Sequence, residues 1–297
     1  MTAPSGERRD IVQGVFASPG AIAFEFGPVQ IRWYGILMAT AILVGFWLAH
    51  RRATQEGLPA DQLIRAAQWG VVAGLVGARL YEVVFNWDYY GRFPGKIIAV
   101  WEGGLAMHGG LIVGPLVGAY LASRWGVPVL RALDVIAPSM ILGQALGRWG
   151  NFFNEEAFGT PTDVSWKLYI SPPNRPPDLR QYDFFHPTFL YESLWNLLVF
   201  VVLVWWIRSQ VRRYPGALFF AYIGFYSVGR FLIEPLRLDS FWIGPFRVGQ
   251  LASVAGVLVA GAGIWWLRRR APLDATPAEA APATGTGRGK RGRRPPG

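Results

Sequence analysis

Long apolar runs recur along this chain, and most of the polar residues fall between them. A helix needs about 20 mostly apolar residues to cross a bilayer. Runs of roughly that length centre on residues 33–49, 66–85, 97–122, 132–147, 188–207, 216–236 and 248–267. They predict an all-α polytopic membrane protein with seven transmembrane helices. The third run holds "GGLAMHGGLIVGP", whose glycines predict a broken helix near His108.

The connections between runs set the orientation. His50, Arg51, Arg52 and Arg65 follow the first run, and Arg124 and Arg131 follow the third; Arg208, Arg212 and Arg213 follow the fifth, and Arg268, Arg269 and Arg270 the seventh. Lys and Arg collect in short cytoplasmic loops, so the N-terminus is expected outside, the C-terminus cytoplasmic, and residues 148–187 on the outer face. Arg230, Arg237 and Arg247 run against this pattern, because they fall near an outer loop, where a cation needs a task.

Domain limits follow from the same pattern: an N-terminal extension over 1–18, a membrane domain over 19–270, and a tail over 271–297. The tail, ending "GRGKRGRRPPG", is too poor in apolar residues to order itself and is expected to be a disordered, basic cytoplasmic segment. Hydrophobic residues make up 52% of the 297 and charged residues only 16%, which excludes an ordinary soluble domain of this length. The formal charge of +10 belongs largely to the tail and the cytoplasmic loops, so no nucleic-acid partner is implied.

Chemistry is then sought by elimination. The chain has no cysteine, hence no disulfide and no thiol nucleophile of its own. Its three histidines, His50, His108 and His186, are too scattered for a zinc motif, and GxSxG is missing. No metal and no cofactor are expected. What remains is a set of polar residues in or beside apolar runs, where a charge costs about 2.5–3.5 kcal/mol and faces a protein interior or cavity.

Each of these has two readings. Arg79 and Glu82 are an i,i+3 pair, either self-neutralising or part of a site. "GRWGNFFNEEAFG" places Arg148, Asn151, Asn154 and Glu156 where the fourth run ends: a headgroup site, since a guanidinium forks onto phosphate oxygens, or an interfacial arginine with capping asparagines. Tyr226, Arg230 and Glu234 share one helix face, as an internal salt bridge or as a second cation with its orienting carboxylate. His186 before Pro187 is a helix cap or a site residue, with Tyr191 and Glu192 one turn further in. His108 is either a core histidine among packing glycines or a functional one. A retinal protein would need a lysine in the middle of a run, and Lys96, Lys167 and Lys290 lie elsewhere. A transporter would use glycine-broken helices around a midplane site, but the two halves show no internal repeat.

Five segments in order, "IRWYG" (31–35), "HGGLIVG" (108–114), "GRWGNFFNEEAFG" (147–159), "HPTFLYE" (186–192) and "GRFLIEPLR" (229–237), resemble the successive motifs of the bacterial prolipoprotein diacylglyceryl transferases. The resemblance runs from about residue 20 to 267. It implies transfer of the diacylglyceryl group of phosphatidylglycerol to the lipobox cysteine thiol of a preprolipoprotein signal peptide, forming a thioether and releasing glycerol phosphate. It also implies a place in the bacterial inner membrane with the site toward the outer face. The catalytic residues it implies are His108 as candidate base, Arg148 and Arg230 on the phosphate, and Glu234. Arg148, Asn151, Asn154, Glu156, Gly159, Tyr34, Tyr226 and Arg230 would bind the lipid. Gly109 and Gly110 would leave room for a headgroup or peptide beside His108. The thiol comes from the substrate, which suits a chain with no cysteine.

Overall fold

A peptide group in hydrocarbon has no water to bond, so an apolar run is stable there only when its N–H and C=O groups are satisfied within the segment, as in a helix. In the computed structural model, which describes residues 16–270 except 28, 101, 102 and 212, the apolar runs are helices. Most of the expected N-terminal extension, the basic tail 271–297 and Arg212 lie outside the described residues.

Three short strands, β1 (Phe16–Ala17), β2 (Ile22–Phe26) and β3 (Val29–Arg32), precede α1 (Trp33–Gln55). Then come α2 (Ala60–Phe85), the single turn α3 (Trp87–Tyr90), a 3-10 turn over Pro94–Ile98, α4 (Met107–Arg124) and α5 (Val129–Asn154). An irregular stretch with β4 (Leu168–Tyr169) and β5 (Phe184–Phe185) leads to α6 (Thr188–Val201), which continues through a π-helical turn into α7 (Arg208–Val211). The chain closes with α8 (Ala217–Ile233), a 3-10 turn over Glu234–Leu236, β6 (Trp242–Ile243), β7 (Phe246–Arg247) and α9 (Val248–Arg269).

Among the described residues five helical segments are long and apolar enough to cross a membrane: Trp33–Gln55, Val129–Asn154, Thr188–Val211, Ala217–Leu236 and Val248–Arg269. The protein is therefore a multi-pass membrane protein. The other two long helices, α2 and α4, fall outside that set. Asp61, Arg65, Arg79 and Glu82 interrupt α2, and four glycines dilute α4.

Those glycines explain how α2 and α4 pair. A β-carbon on Gly70 would lie 3.1 Å from the Gly114 carbonyl oxygen, and one on Gly74 3.4 Å from that of Gly110. A β-carbon on Gly77 would be 2.8 Å from the Gly109 oxygen. The two main chains touch antiparallel along small residues spaced four apart, the packing that lets helices approach most closely in lipid. Gly109 and Gly110 are thus filled by α2, with Tyr81 also against Gly109, and do not open space for a substrate.

α1 and α5 also run antiparallel, with Gly45 by Ser139, Gly143 by Ala41 and Gly150 on the Tyr34 ring. At one end of the bundle the Arg208 guanidinium bonds Glu56 at 2.9 Å, and Asp134 accepts from the Gly216 and Phe219 N–H groups at 2.6 and 2.9 Å. Asp134 thereby satisfies orphan donors at the start of α8. The opposite end collects the start of α1, the end of α5, the start of α6, the end of α8 and the start of α9.

One expectation needs correction. Among the described residues the third run is α-helical from Met107, after Gly103 and Gly104 at φ of 96° and 70°, so His108 sits in the first turn of α4 rather than inside a span. α5 persists to Asn154, and an irregular segment follows it from 155. The all-α architecture carries short strands only in its connections. β2 pairs with β3, β6 with β7, and β4 joins β1 to β5, because connections outside the helices still need main-chain partners. Phe152, Phe158, Leu168, Ile170, Phe185 and Phe189 form an apolar core beneath the 155–187 segment.

Candidate active site

Polar residues that the sequence scatters over 100 positions converge where α5, α6 and α8 end or begin. Their centre is Glu192, in the first turns of α6 and 4% exposed. Its Oε2 pairs with Arg148 Nη2 from α5. Its Oε1 takes Arg230 Nη1 at 3.1 Å and Arg237 Nη1 at 2.6 Å. One carboxylate thus holds three guanidiniums from three parts of the chain.

The cations differ in access. Arg237 is 7% exposed and forks onto Asp239, with Nε to Oδ1 at 2.9 Å and Nη2 to Oδ2 at 2.5 Å. Burial opposes both charges, but their mutual hydrogen bonds outweigh it, helped by Glu192 for the guanidinium and by Arg230 for the carboxyl. The guanidinium is held above its ordinary value and the carboxyl below. The side chains of Arg148 and Arg230 are 21% and 23% exposed, so these two can still offer N–H groups to a ligand.

Glu234, 1% exposed, anchors the second half of Arg230 through an ion pair of 2.6 Å. Gly249 is packed against the Glu234 carboxylate so closely that a β-carbon would collide with it. Arg247 caps the arrangement, donating to the carbonyls of Glu234 and Arg237 at 3.1 and 3.0 Å while lying over the Trp242 ring. The three arginines that were out of place beside an outer loop therefore share one network.

Beside it, Glu156 Oε1 accepts from Asn151 Nδ2 at 2.9 Å and Asn154 Nδ2 at 3.3 Å. The turn that follows α5 is strained, with Glu155 and Ala157 at φ of 52° and 54°. Glu155 compensates by binding the Ser171 N–H and Asn174 Nδ2, both at 2.9 Å. Gly159 bonds the His186 carbonyl at 2.9 Å and sits where a β-carbon would meet His186, Leu236 and Thr188. Its demand is for close main-chain approach.

Tyr34, 37% exposed, packs its ring on Gly150, two residues after Arg148 and one residue before Asn151. Tyr226 lies one turn below Arg230 in α8, its ring 6.3 Å from that of Tyr222. His108 is elsewhere on α4: its exposed ring stacks on Tyr81 at 5.8 Å. Among the described residues it has neither a hydrogen bond nor an ion pair, and no contact joins it to the arginine network.

Two local expectations fail. Glu82 does not pair with Arg79; its Oε1 accepts from Asn86 Nδ2 at 3.0 Å. The His186 imidazole does not cap α6. It meets the Tyr191 hydroxyl at 3.2 Å, and burial lowers its pKa. Glu192 and Arg237 have places in this cluster that the motifs alone do not assign. The signal was available: each is a charge in or beside an apolar run, the same ground on which Glu234 was chosen. Among the described residues no group of three or more His, Asp or Glu side chains is arranged to hold a metal.

A helix bundle of a multi-pass membrane protein, with two partly open arginines braced by buried carboxylates at one end of its helices, is the class that the fold and this cluster define. Residues 21–266 match the family model described as prolipoprotein diacylglyceryl transferase, and the chain belongs to that family. It is 46% identical over 264 residues to the phosphatidylglycerol–prolipoprotein diacylglyceryl transferase of Trichormus variabilis, covering 87% of this chain and 94% of that one. The same-named protein of Nostoc sp. is 46% identical over 269 residues (89% and 95%), and that of Gloeobacter violaceus 43% over 263 (88% and 98%). The chain is a transferase of this family.

Proposed function

We propose that this chain moves the diacylglyceryl group of phosphatidylglycerol onto the lipobox cysteine of a preprolipoprotein signal peptide. In this reading it crosses a bacterial inner membrane seven times, with the N-terminus outside and the site toward the outer face. The observation that carries it is the arrangement of Arg148 and Arg230 about Glu192. The carboxylate fixes one edge of each guanidinium and leaves other N–H groups partly exposed.

The bond that breaks joins a glycerol carbon to a phosphate oxygen, and the bond that forms joins that carbon to sulfur. The electron pair leaves with glycerol phosphate, so negative charge grows on the leaving oxygen. Donors aimed there stabilise the transition state, each by about 10²–10³ in rate. Arg148 and Arg230 take that role, and Glu234 and Glu192 keep the forks oriented before substrate arrives. Asn151 and Asn154, aligned by Glu156, bond the glycerol or ester oxygens, with Tyr34 and Tyr226 along the same lipid and Gly159 holding the neighbouring loop.

The thiol must lose its proton to become a good nucleophile, its free pKa being near 8.5. His108 accepts it: its imidazole is exposed and, among the described residues, unbonded. Glu234 suits the task less, being buried and committed to Arg230. The direct test supplies membranes containing the chain with a lipobox peptide and labelled phosphatidylglycerol. Label bound to the peptide through a thioether is expected. Label that stays in lipid, or a peptide with its cysteine changed to serine becoming labelled equally well, would overturn the proposal.

A further inference from the structure

Arg79 of α2 is the most heavily bonded guanidinium outside the arginine network. It is 7% exposed, and its donors go to main-chain carbonyls. Nε bonds Ile97 O at 2.9 Å, Nη1 bonds Gly103 O and Gly104 O at 2.6 Å each, and Nη2 bonds Lys96 O at 2.5 Å and Ala99 O at 3.3 Å. All five carbonyls belong to the stretch that leads into α4. That stretch runs from within the 3-10 turn to α4, and of the five carbonyls only that of Lys96 also takes a main-chain donor among the described residues, the Ala99 N–H at 3.1 Å, so the others depend on another partner. Arg79 supplies them from a single rigid fork.

Neighbours of Arg79 hold the other side of the same junction. The Ala106 N–H donates to Ala78 O at 3.1 Å. Gly109 packs on Gly77, and the His108 ring stacks on Tyr81. Gly104 has φ of 70°, and a β-carbon there would stand 2.6 Å from Arg79 Nη1 and 2.7 Å from the Tyr90 hydroxyl. Residues 77–81 thus set where α4 begins and where its first-turn imidazole stands.

We infer that Arg79 is a positioning residue for His108: by gathering the carbonyls of Lys96, Ile97, Ala99, Gly103 and Gly104 it fixes the start of α4, and with it the imidazole, without touching substrate. This rests on the reading of His108 as base. Only arginine has the donors for it. Guanidinium offers five N–H groups in a plane, whereas an ammonium offers three from one point and cannot reach carbonyls spread around a fork.

The test uses the full chain in membranes with phosphatidylglycerol and a lipobox peptide. Arg79→Lys and Arg79→Gln should each lower kcat about 10- to 100-fold, the cost of a misplacement near 1 Å, and leave KM for phosphatidylglycerol within about two-fold. Raising the pH should restore part of the loss, as the thiol ionises unaided. Arg79→Gln combined with His108→Gln should be no slower than His108→Gln alone, since two residues acting through one group are not additive.

Because the chain has no cysteine, single cysteines report structure against a blank background. Leu105→Cys should react faster with a maleimide when Arg79 is Gln, and Val199→Cys, in the core, should stay protected in a folded bundle. If Val199→Cys becomes reactive, the same kinetic readings are taken on Gly104→Ala, and the same outcomes decide. Arg79→Gln turning over at the wild-type rate beside an inactive His108→Gln overturns this inference alone, as does a double variant several-fold slower than His108→Gln. His108→Gln at the wild-type rate overturns the base assignment and this inference together.

Discussion

Replacing Glu192 by Gln removes one charge and leaves the shape. The amide keeps one acceptor, but its nitrogen carries two N–H groups that must face a guanidinium already presenting N–H. Arg148 loses its charged partner, while Arg230 keeps Glu234 and Arg237 keeps Asp239. Breaking a buried ion pair by changing one partner costs about 3–5 kcal/mol. The 21% and 23% exposure of Arg148 and Arg230 lets water relieve part of that, so the lower end, about 3 kcal/mol, is expected.

At about 2–4 °C per kcal/mol, Tm in detergent should fall by roughly 6–12 °C. Turnover should fall about 10²-fold or more, because the phosphate donors lose their fixed orientation. Adding Arg237→Gln separates repulsion from simple loss of packing. If the guanidiniums repel once Glu192 is neutral, the double variant should be more stable than the sum of the single effects by about 1 kcal/mol or more. Thermal melting and the peptide-lipidation assay on the same preparations check both numbers. A Glu192→Gln protein melting within about 2 °C of wild type with near-normal turnover would refute Glu192 as the brace of the cluster.

Arg148→Ala and Arg230→Ala should each abolish most turnover at normal expression, and Arg230→Lys should rescue poorly because lysine lacks the fork that meets Glu192 and Glu234 together. Initial rates decide it. His108→Gln should lose about 10²-fold or more in turnover, recover in part as pH rises, and keep its phosphatidylglycerol binding; activity at pH 7 or lost lipid binding removes it as base. His186 has a lowered folded pKa, so below its unfolded value near 6.5 the unfolded chain binds the proton first and stability is lost as pH falls. His186→Gln should flatten that part of the melting-temperature profile. Gly109→Ala should destabilise the fold, since its β-carbon would strike α2, whereas Gly35→Ala, with open space around it, should be tolerated or favourable by up to about 1 kcal/mol. Melts of the two variants compare them.

Much of this protein was legible one residue at a time. The bilayer turns apolarity into helices wherever a run is long enough, so α1, α5, α6, α8 and α9 could be placed from hydropathy alone. The cost of charge in lipid likewise flagged Arg148, Arg230 and Glu234 as inward-facing. The partners could not be read. Glu192 meets Arg230 and Arg237 across 38 and 45 positions, distances that only the packing of α6 beside α8 closes. Local spacing even misled: Glu82, three residues from Arg79, suggested a pair, yet the guanidinium turns to carbonyls 17 to 25 positions away. The glycines after His108 read in sequence as room for a ligand, whereas α2 fills the space beside them. Sequence thus determined which residues must leave the lipid, because that is a property of each side chain and its solvent. Tertiary structure decided what they face, because a contact distance depends on how two helices cross, and no single segment contains that information.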